Sequence, residues 1–236
     1  MKVEFESKGH VYFVNGDIAT ISVTELLSKH GLAPNFNGVA KSIVKNKAAR
    51  GKLVHEDLEN IFNKPNYDPV TNEGKEFKEY VKENIYAGVA EQLLALNYKG
   101  LVISGTADLM GFLKDGTPFI DDHKTTSKFE REYVTWQVSL LDYMARSLHD
   151  EPLNGKVLNW KGAQKFMCSH FTKDGLQMKE LEKVPDSEIE RLLEAELNDE
   201  IYQRPQLVVD VNMVAKIEKL EASLVKLETR KKKLDE

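Results

Sequence analysis

Three residues on two neighbouring predicted strands have the types and spacing needed for metal-assisted hydrolysis. Asp108 ends the segment Ser104-Gly-Thr-Ala-Asp108, and the segment Ile120-Asp-Asp-His-Lys124 contributes Asp122 and Lys124. Residues i and i+2 of a strand point to the same face, so Asp122 and Lys124 share one. Carboxylates are hard oxygen ligands for Mg²⁺, and a nearby lysine can orient or help deprotonate the attacking water and offset phosphate charge. The pattern predicts a site that hydrolyses phosphodiester bonds.

The two carboxylates can share a metal only if the two strands pair in a suitable register. A regular two-residue turn between the strands would set Asp108 opposite His123 and leave Asp122 on the other face. We therefore predict an odd-length loop or a bulge between them. A regular hairpin would instead nominate Asp121 as the ligand. Otherwise we expect Asp121 to lie in solvent or just behind the metal ligands.

Further residues flank this motif in a fixed order. The segment Gly51-Lys-Leu-Val-His-Glu56 on a predicted helix contributes His55, Glu91 precedes the strand that ends at Asp108, and Gln137 lies on the following helix. This ordered set resembles the PD-(D/E)XK nuclease superfamily, in particular the RecB-type and phage recombination exonucleases (lambda-exonuclease-like). The resemblance covers roughly residues 10 to 202. Tyr143 follows Gln137 at a wider spacing than the family pattern, and we expect it in the core.

The resemblance implies a fold and a set of site residues. The expected fold is a restriction-endonuclease-like α/β domain with a mixed central β-sheet flanked by helices. The implied cofactor is one or two Mg²⁺ or Mn²⁺ ions. The implied catalytic residues are Asp108, Asp122, Lys124 and Glu91. The implied metal ligands are His55, Asp108, Asp122 and the backbone carbonyl of His123. Gln137 is expected at the site or in contact with nucleic acid.

The resemblance also implies an activity and partners. The expected activity is Mg²⁺-dependent exonuclease cleavage of linear duplex DNA, in phage-type recombination or repair, with a single-strand annealing protein as an implied partner. Two alternatives stay open: a structure-selective endonuclease on the same fold, and a non-catalytic nucleic-acid-binding or assembly protein. A hydrolase built on Asp122 and His123 is a weaker alternative, because no nucleophile elbow and no Ser or Cys beside a base is evident.

The elements that must position these residues form one predicted domain over residues 1–205. Residues 1–31 predict a β-hairpin followed by a helix, with Asn15-Gly16 as a turn and a capping box from Ser22 to Glu25. A helical segment, 38–64, carries the His motif, and a helix from Glu73 to Asn84 follows it. The predicted strands are Val89–Tyr98, Leu101–Leu113, Phe119–Lys124, Phe166–Phe171 and Leu176–Leu181, and the later helices are Glu132–Leu148 and Pro185 to about Tyr202.

Residues 206–236 predict a helical tail. Apolar residues there follow heptad a/d spacing, namely Met213, Ile217, Leu220, Leu224, Leu227 and Leu234. The tail is expected to pack on its own domain or to form a seam with another subunit. The sequence is therefore compatible with a homo-oligomer.

Charge is distributed unevenly along the chain, although the net charge of the 236 residues is −5. No Asp or Glu lies between Gly31 and His55, and this basic window contains Lys41, Lys45, Lys47, Arg50 and Lys52. We expect Lys41, Lys45, Arg50 and Lys52 to contact phosphate groups. Residues 180–200 contain nine acids against two basic residues. We expect this acidic segment to face solvent or a basic partner, away from DNA.

Composition excludes several classes. The chain is 41% hydrophobic, which is enough for a core, and its one cysteine excludes an iron–sulfur cluster or an internal disulfide. No Walker motif appears, so ATP use is not expected. No run of about 18 apolar residues appears, and the N-terminus has no apolar signal region. We expect no membrane association and a cytoplasmic location (the host cytoplasm if phage-encoded).

Overall fold

The computed structural model describes residues 1–9, 11–34, 41–148, 152–154, 156–157 and 159–205, with side chains from residue 47 onward in the helix that begins at residue 41. The helices in this part are α1 (Val23–Lys29), α2 (Lys41–Asn63), α3 (Asn72–Asn84), α4 (Arg131–Ser147) and α5 (Asp186–Leu197). The strands are β1 (Val3–Glu6), β2 (Val11–Val14), β3 (Asp17–Ile18), β4 (Ile21–Ser22), β5 (Ile85–Tyr98), β6 (Leu101–Leu113), β7 (Pro118–Lys124), β8 (Pro152–Leu153), β9 (Lys156–Val157), β10 (Lys165–Thr172) and β11 (Gly175–Leu181).

A mixed central sheet organises the domain. Its strand order is β11-β10-β7-β6-β4, and β5 pairs with the other edge of β6. β4 is parallel to β6 and β10 is parallel to β7, whereas the pairs β5–β6, β6–β7 and β10–β11 are antiparallel. The expected class, an α/β domain with a mixed sheet flanked by helices, is confirmed.

Both faces of the sheet pack against helices, because successive apolar side chains of its strands point to opposite faces. On one face, Met110 and Ile120 join a core that includes residues of α1, α4 and α5. On the other face, Leu109 and Phe119 pack with Val54 and Leu58 of α2 and with Phe77 of α3. The helix with the His motif and the helix with Gln137 therefore lie on opposite faces of the same strands.

The register of β6 and β7 satisfies the condition for a shared site. Leu109 pairs with Asp121 and Phe112 with Pro118. The Leu113 amide donates to the Thr117 carbonyl at 2.9 Å, which closes a three-residue loop. The predicted odd-length loop is therefore confirmed. The same register, continued by one residue, sets Asp108 opposite Asp122.

Most predicted elements appear with small shifts at their ends. The capping box between Ser22 and Glu25 is present at the start of α1, and Asn15-Gly16 joins β2 to β3. β5 begins at Ile85, four residues before the prediction, because Ile85 and Ala87 pair with the end of β6. α5 ends at Leu197 rather than near Tyr202.

Two compact units divide the chain, Met1–Tyr202 and Gln203–Glu236. The predicted heptad tail, 206–236, lies outside the described residues. Within the part of the chain that the structure describes, no helix has the length and apolar character needed to cross a membrane.

Candidate active site

The site lies where β6 and β7 separate. On one edge of β6, β4 pairs with residues 103 and 104 and β7 pairs with residues 109–112. Residues 105–108 between them have no strand partner on that edge among the described residues. Instead, the Asp108 carboxylate accepts a hydrogen bond from the His123 amide at 2.7 Å. The separation of the strands leaves Asp108 in a gap of the sheet, with 11% of its side chain exposed.

His55 reaches this gap from α2. Its Nε2 lies 3.1 Å from the His123 carbonyl oxygen, and its Nδ1 lies 3.6 Å from Glu91 Oε1 and 3.8 Å from Asp108 Oδ2. Ligand atoms of His55, Asp108 and a ring nitrogen of His123 all lie within 4.8 Å of one another. The structure thus brings together His55, Glu91, Asp108 and His123, four of the residues selected from sequence.

Asp122, Lys124 and Gln137 form the other half of the site. Lys124 Nζ donates to Asp122 Oδ1 at 2.9 Å and to Gln137 Oε1 at 3.2 Å. Asp122 Oδ2 is buried and lies 2.8 Å from the same Nζ, but it accepts no hydrogen bond. Both carboxylate oxygens of Asp122 therefore lie beside the Lys124 ammonium, and this ion pair offsets part of the cost of burying them.

Burial and mutual charge set the ionisation of the site. Burial favours the neutral ring of His55, yet the Asp108 and Glu91 carboxylates outweigh it and raise the pKa of His55 to about 9. Burial likewise opposes ionisation of Asp108, but the positive charge of His55 holds the pKa of that carboxyl below its usual value. The metal-free site therefore favours an ion pair between His55 and Asp108.

The Asp122–Lys124 pair shows the opposite balance. Burial raises the pKa of Asp122 to about 6, because Lys124 offsets it only in part and Asp108 adds to the rise. Burial would lower the pKa of Lys124, but attraction to Asp122 and Asp108 raises it above its usual value. Lys124 is therefore protonated at neutral pH in the metal-free site.

Glu91 has an unusual backbone conformation. Its φ is +51°, which lies in the left-handed region that costs a non-glycine residue about 1–3 kcal/mol. Pairing of β5 with β6 continues on both sides, with Ala90 opposite Leu109 and Gln92 opposite Ala107. The distortion is therefore confined to Glu91, whose carboxylate approaches His55.

Asp57 fixes the helix that carries His55. It is buried and accepts hydrogen bonds from Tyr67 Oη at 2.7 Å, from the Val70 amide at 3.1 Å and from the Thr71 amide at 2.7 Å. Thr71 in turn caps the start of α3 through the Gly74 amide. Asp57 lies two residues after His55, so these bonds hold the segment before α3 against α2 and fix the position of His55.

Close packing against β6, rather than a chemical role, accounts for the glycine at position 105. A Cβ there would lie 2.8 Å from Val23 Cγ2 and 3.0 Å from Leu141 Cδ2. Only glycine therefore lets α1 and α4 pack so closely on β6. The glycine three residues before Asp108 belongs to the frame of the site.

Of the two positions expected for Asp121, solvent is wrong, and the position just behind the candidate ligands is the one observed, 3.6 Å from His123 Nε2. Asp121 is 1% exposed and accepts from the Ser169 amide at 2.8 Å and from Ser169 Oγ at 2.5 Å. The reason is the parallel strand β10, which covers β7 on the edge away from β6. Asp121 thus lies behind the site and joins β7 to β10.

Tyr133 is a residue of the site that the sequence reasoning missed. Lys124 Nζ lies 5.5 Å from the centre of its ring, and its hydroxyl is hydrogen-bonded to Thr24. It precedes Gln137 by four residues and so shares its helix face, a signal that the sequence did contain. Tyr143, by contrast, bonds to Glu190 at 3.3 Å.

The proposed nucleic-acid contacts are distributed unevenly. Gln137 contacts Lys124, and Arg50 forms an ion pair with Glu73. Lys52 is exposed on α2. The side chains of Lys41 and Lys45 lie outside the described residues. The structure therefore places part of the basic window on the helix that carries His55.

No protein-family model matches the chain, and no curated protein matches it. Among solved structures, the crystal structure of SSO0001 is similar, with 17% identity and a TM-score of 0.42, over 76% of this chain and 75% of that one. This likeness is too distant to bear on function, which must be inferred from the chemistry of the site.

Proposed function

We propose that this protein is a metal-dependent deoxyribonuclease that hydrolyses phosphodiester bonds. The observation that supports the proposal most is the convergence of His55, Asp108 and the Asp122–Lys124 pair at the gap between β6 and β7. Two carboxylates, an imidazole and a buried ammonium serve no packing purpose together, because burying charges costs free energy. Their arrangement suits a reaction at a phosphate.

The residues fit a Mg²⁺ or Mn²⁺ ion. Ligand atoms of His55, Asp108 and His123 lie within 4.8 Å of one another, and the carboxylates of Asp108 and Asp122 are the hard oxygen ligands that such an ion prefers. His55, Asp108, Asp122 and the His123 carbonyl would hold the ion. When bound, such an ion supplies Lewis-acid activation of water and stabilises charge on the phosphate.

The chain's own residues supply orientation and charge. In the metal-free site Lys124 keeps its proton at Nζ, so it can donate to a phosphate oxygen or orient a water. Gln137 Oε1 accepts a second hydrogen bond from the same Nζ at 3.2 Å. The His123 amide fixes the Asp108 carboxylate. These contacts exist before substrate arrives, which lowers the reorganisation that the reaction requires.

Incubation of the full chain with linear duplex DNA and Mg²⁺ tests the proposal. We expect loss of the DNA with Mg²⁺ or Mn²⁺, none with EDTA, and a rate at least roughly 100-fold lower for Lys124→Ala. Lys128→Ala, which removes an exposed lysine four residues away (82% exposed side chain), is the matched control and should keep the rate. DNA binding without cleavage under any divalent metal would contradict the proposal and leave a non-catalytic binder.

Within this class we propose an exonuclease on linear duplex ends. The family resemblance supports this narrower form. A covalently closed circular duplex in a parallel reaction separates the two modes. An intact circle alongside degraded linear DNA supports the exonuclease, whereas cleavage of the circle identifies an endonuclease.

A further inference from the structure

The side chain of His123 is buried in the candidate site, although the proposed chemistry uses only its backbone. The side chain is 3% exposed, and its ring lies edge-on to the ring of Phe77 on α3, with centroids 5.0 Å apart. Nε2 is buried and has no hydrogen bond within the part of the chain that the structure describes. A phenylalanine would fill the same space without a buried polar nitrogen, whose desolvation is costly. Packing alone therefore does not account for the histidine.

Two further groups that commonly bind metals lie close to this ring. One ring nitrogen of His123, one of His55 and a carboxylate oxygen of Asp108 all lie within 4.8 Å of one another. The two imidazole rings are 5.8 Å apart between centroids. An ion among these groups would have two nitrogen ligands and one oxygen ligand from the protein. Such a set, with its other positions open, suits a first-row transition-metal ion.

Asp121 lies on the other side of the His123 ring. Its Oδ2 is 3.6 Å from His123 Nε2, and the amide and hydroxyl of Ser169 hold the carboxylate in place. A histidine that binds a metal through one ring nitrogen usually donates the other N–H to a carboxylate or a carbonyl, which orients the ring. Binding through Nδ1 would leave the proton on Nε2. A shift of about 0.5 Å would then bring Nε2 within hydrogen-bond distance of Asp121.

We propose that the ring of His123 binds the ion of the candidate site through Nδ1, that Asp121 positions this ring, and that the site consequently prefers a transition-metal ion to Mg²⁺. This inference rests on the proposed function and names its cofactor more closely. Imidazole nitrogen is a good ligand for ions such as Co²⁺, Fe²⁺ and Zn²⁺, whereas Mg²⁺ takes oxygen ligands and water. The alternative, in which His123 contributes only its carbonyl, leaves a site with one imidazole.

Calorimetric titration of the full chain with Co²⁺, followed by displacement with Mg²⁺, tests the ring as a ligand. His123→Phe keeps the ring volume beside Phe77 and every backbone group, but removes both nitrogens. We expect it to lower the Co²⁺ affinity at least about tenfold and the Mg²⁺ affinity much less. Equal losses for the two ions, or no loss for Co²⁺, would overturn the proposal.

His170→Phe is the matched control for this titration. His170 is a second buried histidine, 4% exposed, and it does not belong to the cluster of candidate ligands. We expect both affinities to equal those of wild type. A similar loss of Co²⁺ affinity in His170→Phe would assign the effect to disturbed packing and overturn the role of His123.

Proton NMR of the Co²⁺-loaded protein identifies the bound imidazole directly. Paramagnetic Co²⁺ shifts the N–H proton of a bound imidazole far outside the ordinary range, and burial slows the exchange of that proton with water. We expect one such exchangeable resonance that is present in wild type and in His170→Phe but missing in His123→Phe. Identical shifted resonances in wild type and His123→Phe would show that the ring does not bind the ion.

Asp121→Asn tests the positioning role. The change removes the charge but keeps the size of the side chain and an oxygen that accepts from Ser169. We expect the Co²⁺ affinity to fall about 10- to 100-fold and the shifted N–H resonance of His123 to move. Ser169→Ala deletes the hydroxyl that donates to Asp121 but leaves the carboxylate, so its effect should be smaller. An unchanged affinity in Asp121→Asn would overturn the role of Asp121.

The two proposals fail in different ways. Absence of cleavage with every divalent ion contradicts the nuclease, but the Co²⁺ titration still decides whether the His123 ring is a ligand. Co²⁺ binding that is indifferent to His123→Phe overturns the ring as a ligand, whereas a nuclease that uses the His123 carbonyl remains. Circular dichroism and thermal melting in EDTA show whether each variant is folded. Should His123→Phe fail to fold, the absence of a shifted exchangeable resonance in wild type would still overturn the proposal.

Discussion

Individual side chains of the candidate site keep charges that burial opposes. Asp122 is 2% exposed, and the Lys124 side chain beside it is 20% exposed. His55 and Asp108 carry opposite charges in the gap between the strands. Burying such groups costs free energy that a packed apolar replacement would avoid. The proposed chemistry gives these charges a use, and the ion pairs between them offset part of the cost.

The raised pKa of His55 predicts a pH-dependent stability. A His whose pKa rises from 6.5 to about 9 on folding stabilises the metal-free protein fully below pH 6.5, and this contribution is lost as pH rises through 9. The shift corresponds to an upper bound on the order of 3 kcal/mol, reduced by solvent at a side chain that is 31% exposed. Urea unfolding in EDTA should therefore show a larger gap between wild type and His55→Ala at pH 6 than at pH 9.5.

Metal provides the control for this prediction. A metal and a proton compete for the same imidazole, so saturating Mg²⁺ should reduce the pH dependence in wild type and have little effect in His55→Ala. A gap between the two proteins that stays constant from pH 6 to 9.5 would show that His55 does not titrate in the folded state as described.

Predictions for individual residues succeed where they depend on local sequence and fail where they depend on distant segments. The pattern D-x-K placed Asp122 and Lys124 on one face, and the structure agrees, since strand alternation is a local property. The burial of Asp121 depends on β10, which is about 45 residues away in sequence. Tyr133 was overlooked because its link to Thr24 crosses two helices that only the fold brings together.

Among the secondary-structure elements, β6 makes the strand pairings that shape the candidate site. It pairs with β5 along its length, and with β4 and β7 on separate parts of its other edge. The sequence predicted its bounds, Leu101–Leu113, because period-2 alternation and the turn residues at both ends are local signals. The divided edge was not predictable, because β4 is a two-residue strand that pairs in parallel with a segment about 80 residues later.

Alanine substitutions at Gly105 and at Gly51 should change the free energy of unfolding in opposite directions, because only Gly105 is closely packed. Gly105→Ala brings a methyl group to 2.8 Å from the stiff side chain of Val23, and we expect it to lower the free energy of unfolding by about 1–3 kcal/mol. Gly51→Ala is the matched control, since its Cβ meets Thr125 Oγ1 at an ordinary 3.4 Å. Removing a helical glycine there should stabilise the protein by up to about 1 kcal/mol. Urea denaturation of both variants measures the two effects, and equal stability would contradict the packing account.

At the scale of the whole domain, the acidic segment 180–200 forms ion pairs with basic residues of other elements. The acidic segment was expected to face solvent or a basic partner, and the structure supplies basic partners from within the chain. Asp186 pairs with Arg146 at 2.8 Å, Glu196 with Lys29 at 3.0 Å, and Glu194 with Lys99. Lys99 lies at the β5–β6 turn, and the β6 residue next to that turn is about 23 Å along the strand from Asp108. Glu194, which pairs with Lys99 at that turn, is therefore held far from Asp108.

The basic side of α2 predicts the salt dependence of DNA binding. Each lysine that contacts a phosphate contributes about 0.9 to the slope of log K against log salt concentration. Lys47 and Lys52 are exposed on α2, so the double variant Lys47→Ala/Lys52→Ala should lower that slope by about 1.8. Fluorescence anisotropy with labelled duplex in EDTA, over a salt series, measures it.

Lys82→Ala is the matched control for this measurement. Lys82 is an exposed lysine on α3 whose carbonyl accepts from Lys114 in the β6–β7 loop, at the end of β7 remote from Lys124. We expect its slope to equal that of wild type. A similar decrease for Lys82→Ala would show that binding follows overall charge rather than the surface beside His55.

Much of this protein is determined by the sequence alone. Alternation, turn residues and the capping box predict the order of its strands and helices, because these depend on neighbours within a few residues. The residue types of the candidate site and their order along the chain were equally visible. Only the tertiary structure decided that β4 and β7 pair with separate parts of one edge of β6, which leaves the gap at Asp108, and that β10 buries Asp121. Each of these follows from contacts between distant segments, whose free energy no local pattern records.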